Sequence, residues 1–433
     1  MTDRITDRDL VRRLEKVVID RLALSPVVVL HGARTVGKST LLQHLATKLD
    51  GQVVDLDERS TRAVAAADPS LYTSADRLIL IDEYQRVPEL LDAIKAALNR
   101  ELRPGRFVVT GSTNYSTIPR ASQSLTGRAE VLTVWPFSQG EVDARYETFT
   151  ETLLADPARF RGASSQTSRA DYVQRVLAGG MPVALRQPSE PQRRRWFQAY
   201  LDLVVQRDVL DIRNIRQREA LPRLLRALVG QTGQLLNVAQ AAERAGLSRA
   251  VGLDYMQLLE AVFLVRRLSA WGRTLSSRVN ATPKLHVVDS GVGGWLLGVG
   301  SARLAHRDPA ALQQYGHLLE SFAVHEILKQ VGWLDELPQS GHYRTKDGLE
   351  VDLVLELFDG RVAGVEVKAG TQVRTEDCRG LATLRDRLGS SFIGGVVLYT
   401  GELAYQLADR LYAVPIDQLW AWSDNPNVSC TQG

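Results

Sequence analysis

At 433 residues the chain exceeds what one ordinary hydrophobic core covers, so roughly two to four domains are expected. Apolar content of 44%, charge of 24% and a net charge of +3 are those of a soluble globular chain and too balanced to argue for nucleic acid by themselves. No apolar run approaches the ~20 residues of a membrane span, the start Thr2-Asp3-Arg4 is unlike a signal peptide, and Cys378 and Cys430 build neither a disulfide framework nor a zinc cluster; a cytoplasmic protein without a membrane partner is the default expectation.

In chain order, Val27–Leu30, Gln52–Leu56, Leu78–Ile81, Phe107–Thr110 and Val131–Trp135 read as strands separated by helical stretches, a rhythm that predicts a parallel sheet covered by helices. Directly after the first strand comes Gly32-Ala33-Arg34-Thr35-Val36-Gly37-Lys38-Ser39, followed by Thr40 and an opening helix. This is GxxxxGK[ST] in its strand-then-helix context. The glycines let the backbone curl so that its N–H groups face a phosphate chain, and the helix N-terminus adds partial positive charge. The segment Gly32–Thr40 is therefore the expected ATP cradle, with Lys38 on the β- and γ-phosphates and Ser39 on Mg²⁺.

The strand Leu78-Ile79-Leu80-Ile81 ends in Asp82-Glu83. The first acid suits the Mg²⁺ shell, and the second suits polarisation of the attacking water; a capping acidic pair at a strand end is the alternative. The strand Phe107–Thr110 ends in Gly111-Ser112-Thr113-Asn114, where a hydroxyl or amide can sense the γ-phosphate, Ser112 being the first candidate and a simple turn the alternative. Ser124-Leu125-Thr126-Gly127-Arg128 precedes the fifth strand. Arg128 is either a finger reaching a neighbouring subunit's ATP, worth ~10³ or more in rate, or a surface arginine.

Residues 141–230 read as mostly helical, broken at Gly179-Gly180-Met181-Pro182, with a loop at Arg161–Ser168. From Arg186 to Arg226 ten arginines face five acids, either a binding patch or a solvated helical surface. Asn237–Ala245 then reads as a helix, Gly246 as a turn, and Ser248 as the cap of a second helix that presents Arg249 early. With Phe263–Leu268 and Trp271-Gly272-Arg273 as a basic two-stranded wing, the segment predicts a winged helix. DNA contact through Arg249 and protein packing are both open.

Farther on, Leu349–Glu356 alternates as a half-buried strand, Asp359-Gly360 makes a hairpin turn, and Gly364–Lys368 returns. The spacing Asp352, Glu366-x-Lys368 matches the metal-dependent nuclease pattern of the restriction-endonuclease-like fold. Period-2 geometry puts Glu366 and Lys368 on one face. Two carboxylates then hold Mg²⁺ while the ammonium orients water. Upstream, Glu320 shares an apolar helical face with Ala323, Val324 and Ile327, which makes it a third candidate ligand, with Glu326 competing. The alternative is a half-exposed hairpin stabilised by an Asp–Lys pair.

Several of these pieces resemble a known group. The Gly32–Ser39 loop, Asp82-Glu83-Tyr84-Gln85-Arg86-Val87-Pro88-Glu89-Leu90, Thr110-Gly111-Ser112 and Ser124–Arg128 are similar to prokaryotic AAA+ ATPases that carry a C-terminal domain of unknown function 4143. Gly179–Pro182, Tyr200–Asp208 and Gly316-His317-Leu318-Leu319-Glu320 resemble the same group. The resemblance runs from about residue 10 to 415, and it is most specific in the ATPase motifs. It departs at Ser39, where a threonine is expected, and at Tyr84, where an aliphatic residue is expected; Ser39 keeps the hydroxyl. The resemblance implies nucleotide hydrolysis in an oligomer and little about substrate.

The expected architecture is α/β: an AAA+ P-loop ATPase core (1–145), a helical lid (146–230), a winged helix (231–280), a restriction-endonuclease-like domain (281–420) and a flexible tail (421–433). Three functions follow, in order of expectation. They are an ATP-driven motor on DNA, such as branched or repair intermediates, working as a homo-oligomer with a hexameric ring as the expected form; a nucleotide-dependent switch that binds proteins; and an ATP-gated, Mg²⁺-dependent nuclease.

Overall fold

Continuous runs such as Val27-Val28-Val29-Leu30 and Ile79-Leu80-Ile81 have no polar side to show to water, so they belong inside a sheet covered on both faces. In the computed structural model, which describes residues 10–114, 125–212, 215–274 and 281–423, the chain divides into two compact units. One comprises Val11–Pro136 with Glu260–Phe263, and the other comprises the rest.

The first unit is built on five parallel strands: β1 (Val27–His31), β2 (Gln52–Asp55), β3 (Ile79–Asp82), β4 (Phe107–Gly111) and β5 (Ala129–Thr133), in the order β2-β3-β4-β1-β5. Every residue of β1, β3 and β4 is buried, while the edge strand β5 is half-exposed. Helices α1 (Arg13–Leu22), α2 (Lys38–Leu49), α3 (Arg59–Ala67) and α4 (Glu89–Arg100) belong to this unit. Leu90, Leu91, Ile94 and Leu98 of α4 pack against Val27, Val29, Ile79, Ile81, Phe107 and Val109 in one core. Four strands lie within two residues of their expected limits. The fifth starts two residues earlier than expected, because Ala129 already pairs with Val27.

The second unit holds a largely helical segment with α5 (Arg169–Ala178), α6 (Glu190–Leu203) and α7 (Leu221–Val229). Helix α6 runs directly into a π-helical turn at Val204–Asp208. The expected loop at 161–168 is present and tied down: the hydroxyls of Ser165 and Thr167 donate to Asp417 Oδ2 at 2.6 and 2.7 Å.

After β6 (Gln234–Leu235) come α8 (Val238–Ala245) and α9 (Arg249–Ala261), then β7 (Val265–Leu268) and β8 (Lys284–Val287). Asn237 caps α8 through Gln240 N–H at 3.0 Å, and Ser248 caps α9 through Val251 N–H at 3.3 Å. Gly246 ends α8 in the left-handed region (φ 73°). A Cβ at Gly252 would lie 2.5 Å from the Ala242 Cβ, so only glycine lets α9 approach α8 this closely. The three strands form a sheet in the order β6-β8-β7. The sequence expectation that β7 pairs with Trp271–Arg273 is corrected here: its partner is β8. The Trp271 backbone is taken by the C-terminal sheet, donating to His342 O at 2.6 Å, while His342 N–H donates to Ser269 O at 3.0 Å.

The C-terminal part places α10 (Pro309–Val331) before β9 (Gln339–Arg344), β10 (Glu350–Glu356), β11 (Val362–Lys368), α11 (Arg379–Leu388), β12 (Phe392–Tyr399), β13 (Tyr405–Ala408) and β14 (Leu411–Pro415). The sheet order is β13-β14-β12-β11-β10-β9. β9, β10 and β11 are antiparallel neighbours, and β11, β12 and β14 run parallel. The hairpin turn falls at Asp359-Gly360 as expected, with Gly360 at φ 81°. Ser124, Cys430 and the tail beyond Ser423 lie outside the described residues. Among the described residues no helix is long and apolar enough to cross a membrane.

Two outcomes follow from this packing. Gly252→Val is expected to cost about 1–3 kcal/mol by overpacking the α8–α9 contact, read as a lower thermal unfolding temperature. Burial holds His31 and His342 neutral, pushing both down to about 4, with Lys38 adding to the effect at His31; His325 falls to about 3. A histidine depressed in the folded state stabilises fully above its unfolded value of about 6.5 and loses that contribution as the pH falls toward 4. The urea midpoint is therefore expected to drop between pH 6.5 and 4, and His342→Gln is expected to flatten that drop by at most about 3 kcal/mol.

Candidate functional sites

Phosphate-binding geometry starts from the backbone of the Gly32–Ser39 loop. Gly32 is forced by packing: a Cβ there would lie 2.3 Å from the Val134 carbonyl oxygen. Thr35 (φ 58°) and Gly37 (φ 99°) take left-handed backbone, which curls the loop before α2 opens at Lys38. No side chain caps that helix and its first turn holds no acid, so its end keeps its partial positive charge. Lys38 is buried, and its ammonium donates to the carbonyls of Gly32 and Ala33, each at 3.0 Å. Arg34 is half-buried, Val36 and Ala33 are buried, and Ser39 and Thr40 are exposed at the helix start. From α1's N-terminal side, the buried Arg12 donates to the carbonyl of Val36 and, at 2.9 Å, to that of Trp135. Sequence reading missed this arginine, whose two backbone contacts are distant in sequence.

The order β3-β4-β1 sets the acids beside the loop. Asp82, buried at the end of β3, accepts from the Thr110 hydroxyl on β4, and the same hydroxyl accepts from Glu83 N–H at 3.2 Å. Glu83 itself sits in left-handed backbone (φ 55°), a strained conformation for a non-glycine residue. Burial pushes its carboxyl up, with Lys38 opposing and Asp82 adding repulsion. Gln85 was also missed: its amide donates to Glu83 Oε2 and, at 3.0 Å, to the Ser112 hydroxyl. Thr113 is buried, and Asn114 N–H donates to Ala261 O at 2.9 Å.

Arg128 is half-buried, and its Nη1 is buried without a hydrogen-bond partner among the described residues. Ala129 pairs with Val27, at the far end of β1 from the loop. At about 3.3 Å per residue, Arg128 sits about 16 Å along the strands from His31, away from its own chain's phosphate loop.

The second expected constellation also assembles. Between Val351 and Val354 the β9–β10 register slips by one residue, and this bulge lies at Asp352. Leu353 pairs with Val365, which sets Asp352 across from Glu366. Asp352 Oδ2 accepts from Val367 N–H at 2.9 Å, and Glu366 Oε1 accepts from Lys368 Nζ at 2.7 Å. Helix α10 brings in Glu320 and not Glu326. Glu326 is used elsewhere, accepting from Lys329 Nζ at 2.6 Å and from Gln139 N–H at 2.7 Å. The unexpected member is Lys284 of β8. It is 1% exposed, and its ammonium lies 2.7 Å from Asp352 Oδ1, 2.9 Å from Glu320 Oε1 and 3.5 Å from Glu350 Oε2. Burial works against this charge, yet Asp352 and Glu320 hold it above the ordinary lysine range. Burial pushes the Glu320 and Glu366 carboxyls up, and Asp352 adds repulsion. This set does not fit a divalent metal: a lysine ammonium stands where the carboxylate oxygens converge. Among the described residues no group of three or more His, Cys, Asp and Glu is placed to hold a metal ion. A signal for Lys284 exists in the sequence, since it opens the otherwise apolar alternation Lys284-Leu285-His286-Val287.

Beside the C-terminal sheet runs a groove of about 920 Å³. Arg273, Arg344, Lys346 and Arg387 line it, with Asp347 as the single acid among the described lining residues and the buried Trp271 and Tyr343 in its wall. Tyr343 accepts from Arg387 at 2.7 Å, and Arg344 pairs with Glu350.

Comparison with known proteins matches residues 24–143 to the AAA domain family, residues 169–303 to a domain of unknown function (8612), and residues 315–419 to the domain of unknown function 4143. Uncharacterized proteins of Mycobacterium tuberculosis and Mycobacterium bovis are each 27% identical over 417 residues, covering 96% of this chain and 85% of their own length. Among solved structures, a Walker-type ATPase of Pyrococcus abyssi is 15% identical with a TM-score of 0.39, covering 67% of this chain and 96% of its own. AMPPCP-bound DnaA from Aquifex aeolicus is 14% identical with a TM-score of 0.29, covering 57% and 86%. The chain thus joins a match to the AAA domain family over residues 24–143 to a match to the domain of unknown function 4143 over residues 315–419.

Proposed function

We propose that this protein hydrolyses ATP and uses the energy to remodel or move along DNA. The curled loop, the uncapped start of α2 and the buried Lys38 fit a triphosphate. Lys38 leaves the carbonyls of Gly32 and Ala33 for the β- and γ-phosphate oxygens, and the loop N–H groups and α2 cradle the rest. Ser39 and Asp82 are the residues to hold Mg²⁺, which supplies charge neutralisation at the phosphates when bound. Glu83 orients the attacking water and takes its proton, a role that its raised carboxyl favours. Ser112, joined to Glu83 through Gln85, is placed to report the γ-phosphate. Arg128 is the residue we assign to contact with a neighbouring copy, since it sits far along β5 from its own loop. A homo-oligomeric ring, such as a hexamer, satisfies that geometry.

DNA is the partner we favour, and the groove carries the reading: four basic side chains against one acid among the described lining residues suit a phosphate backbone. The chain order α7-β6-α8-α9-β7-β8 with sheet order β6-β8-β7 supports a winged helix, running from Leu221 to Val287. The order α10-β9-β10-β11-α11-β12 supports a restriction-endonuclease-like domain after it, and residues 146–220 supply the helical lid. A protein-binding switch is the second reading. Helix α9 exposes Arg249, Leu253 and Asp254, one base, one acid and an apolar residue, which suits a protein surface better than phosphate.

The deciding experiment is ATPase rate with single-stranded, duplex and four-way DNA. DNA is expected to stimulate the rate, and stimulation by none, with no DNA affinity at low salt, overturns the DNA reading in favour of the switch. Lys38→Ala is expected to abolish hydrolysis, and Glu83→Gln to lower it ~10²–10⁴-fold while ATP still binds. Arg273→Glu and Lys346→Glu are expected to weaken DNA binding and to shrink its log–log salt slope by about 1 per lost phosphate contact, measured by fluorescence anisotropy at several salt concentrations.

A further inference from the structure

The C-terminal acid cluster has the parts of a phosphodiester-cleaving metal centre, namely a helix acid, a strand Asp and Glu-x-Lys. We infer that Lys284 fills the cation position of this cluster, so that a side-chain ammonium replaces the divalent ion and closes the site. The inference rests on the geometry of the cluster and not on DNA being the partner.

Three observations carry it. First, the convergence is that of a ligand set. Oxygens from α10 (Glu320) and from two positions of β10 (Glu350 and Asp352) meet at one nitrogen, at 2.9, 3.5 and 2.7 Å. These elements are separate in sequence and share no other reason to aim carboxylates at one point. Carboxylates crowded this way repel one another unless a cation sits among them. Second, the cation cannot simply swing aside. Lys284 is among the largest fully buried side chains, its β8 backbone is paired on both sides with β6 and β7, and Gly233 is packed against Glu320. Third, Glu366 remains incompletely satisfied. It is 7% exposed, Lys368 takes one oxygen, and Oε2 is buried with no partner. A carboxylate kept with a spare buried oxygen beside Asp352 is what a metal ligand looks like after the metal has been replaced.

The replacement has a structural effect as well. Lys284 begins the central strand of the sheet β6-β8-β7, so its ion pairs fasten that sheet to α10 and β10. A divalent ion bound by the carboxylates alone makes no such connection.

The test is Mn²⁺ binding to the full chain without nucleotide, followed by electron paramagnetic resonance, with plasmid nicking in Mg²⁺ or Mn²⁺ on the same samples. The wild type is expected to show no Mn²⁺ binding that depends on Asp352 and no nicking. Lys284→Met keeps the bulk of the side chain and removes the charge, and it is expected to gain one Mn²⁺ equivalent that Lys284→Met/Asp352→Asn loses. If Lys284→Met does not fold alone, Lys284→Met/Glu366→Gln, which removes a buried carboxylate together with the ammonium, is expected to fold and to gain Mn²⁺ through Glu320 and Asp352. Wild-type Mn²⁺ binding that Asp352→Asn abolishes overturns the inference whatever the variants do. So does a folded Lys284 variant that gains no Mn²⁺. Loss of DNA-stimulated ATPase without any change in Mn²⁺ binding bears on the proposed DNA role and leaves Lys284's place untouched.

Discussion

The ends of three neighbouring parallel strands hold the nucleotide site together. Because β3, β4 and β1 lie side by side and point the same way, their C-terminal ends open at one edge of the sheet. The Gly32–Ser39 loop leaves β1 there, the Asp82-Glu83 pair leaves β3, and Ser112 leaves β4 between them. The hydroxyl of Thr110 joins the last two strands by bonding both the Asp82 carboxylate and the Glu83 backbone. Brought out at a topological crevice, residues up to eighty positions apart, Gly32 to Ser112, come to one edge of the sheet. The buried, featureless faces of β1, β3 and β4 make that alignment rigid, since any slip would expose a continuous apolar strand.

Buried charge is the second organising constraint. Arg12 is held by backbone carbonyls, Lys329 by Glu326 and the Phe137 carbonyl, and Lys284 by Glu320 and Asp352. Each is far more costly to leave unpaired than to keep, so each fixes the elements it joins. At the phosphate loop the buried ammonium of Lys38 donates to the carbonyls of Gly32 and Ala33, contacts that a phosphate chain replaces in the proposed ATP complex. In the C-terminal cluster the buried ammonium meets full carboxylates and has no better partner to move to. In our proposals the same residue type is a ligand-binding group in one place and a fixed counterion in the other.

Local reading worked where chemistry follows chain order. The eight-residue loop, the strand ending in Asp82-Glu83, the cap Ser248, and the Asp359-Gly360 turn all depend on neighbours within a few residues. It failed where an element's partner comes from elsewhere. β7 was assigned to Trp271–Arg273 because they follow closely, but that backbone is claimed by His342, some seventy residues on. Gln85 sits in plain view beside Glu83, yet its role appears only once β4 places Ser112 against it.

The sequence by itself determined the phosphate loop, the alternation of strands and helices, and the strand acids Asp352 and Glu366, because residue type and short spacing specify them. Only the tertiary structure decided between Glu320 and Glu326, set Arg128 at the opposite end of the sheet from the phosphate loop, and placed Lys284 among the acids. The physical reason is that a charge's meaning depends on what surrounds it. Spacing along a strand or helix tells which way a side chain faces, but the opposing surface, and therefore the counterion, is supplied by segments that meet only when the chain folds.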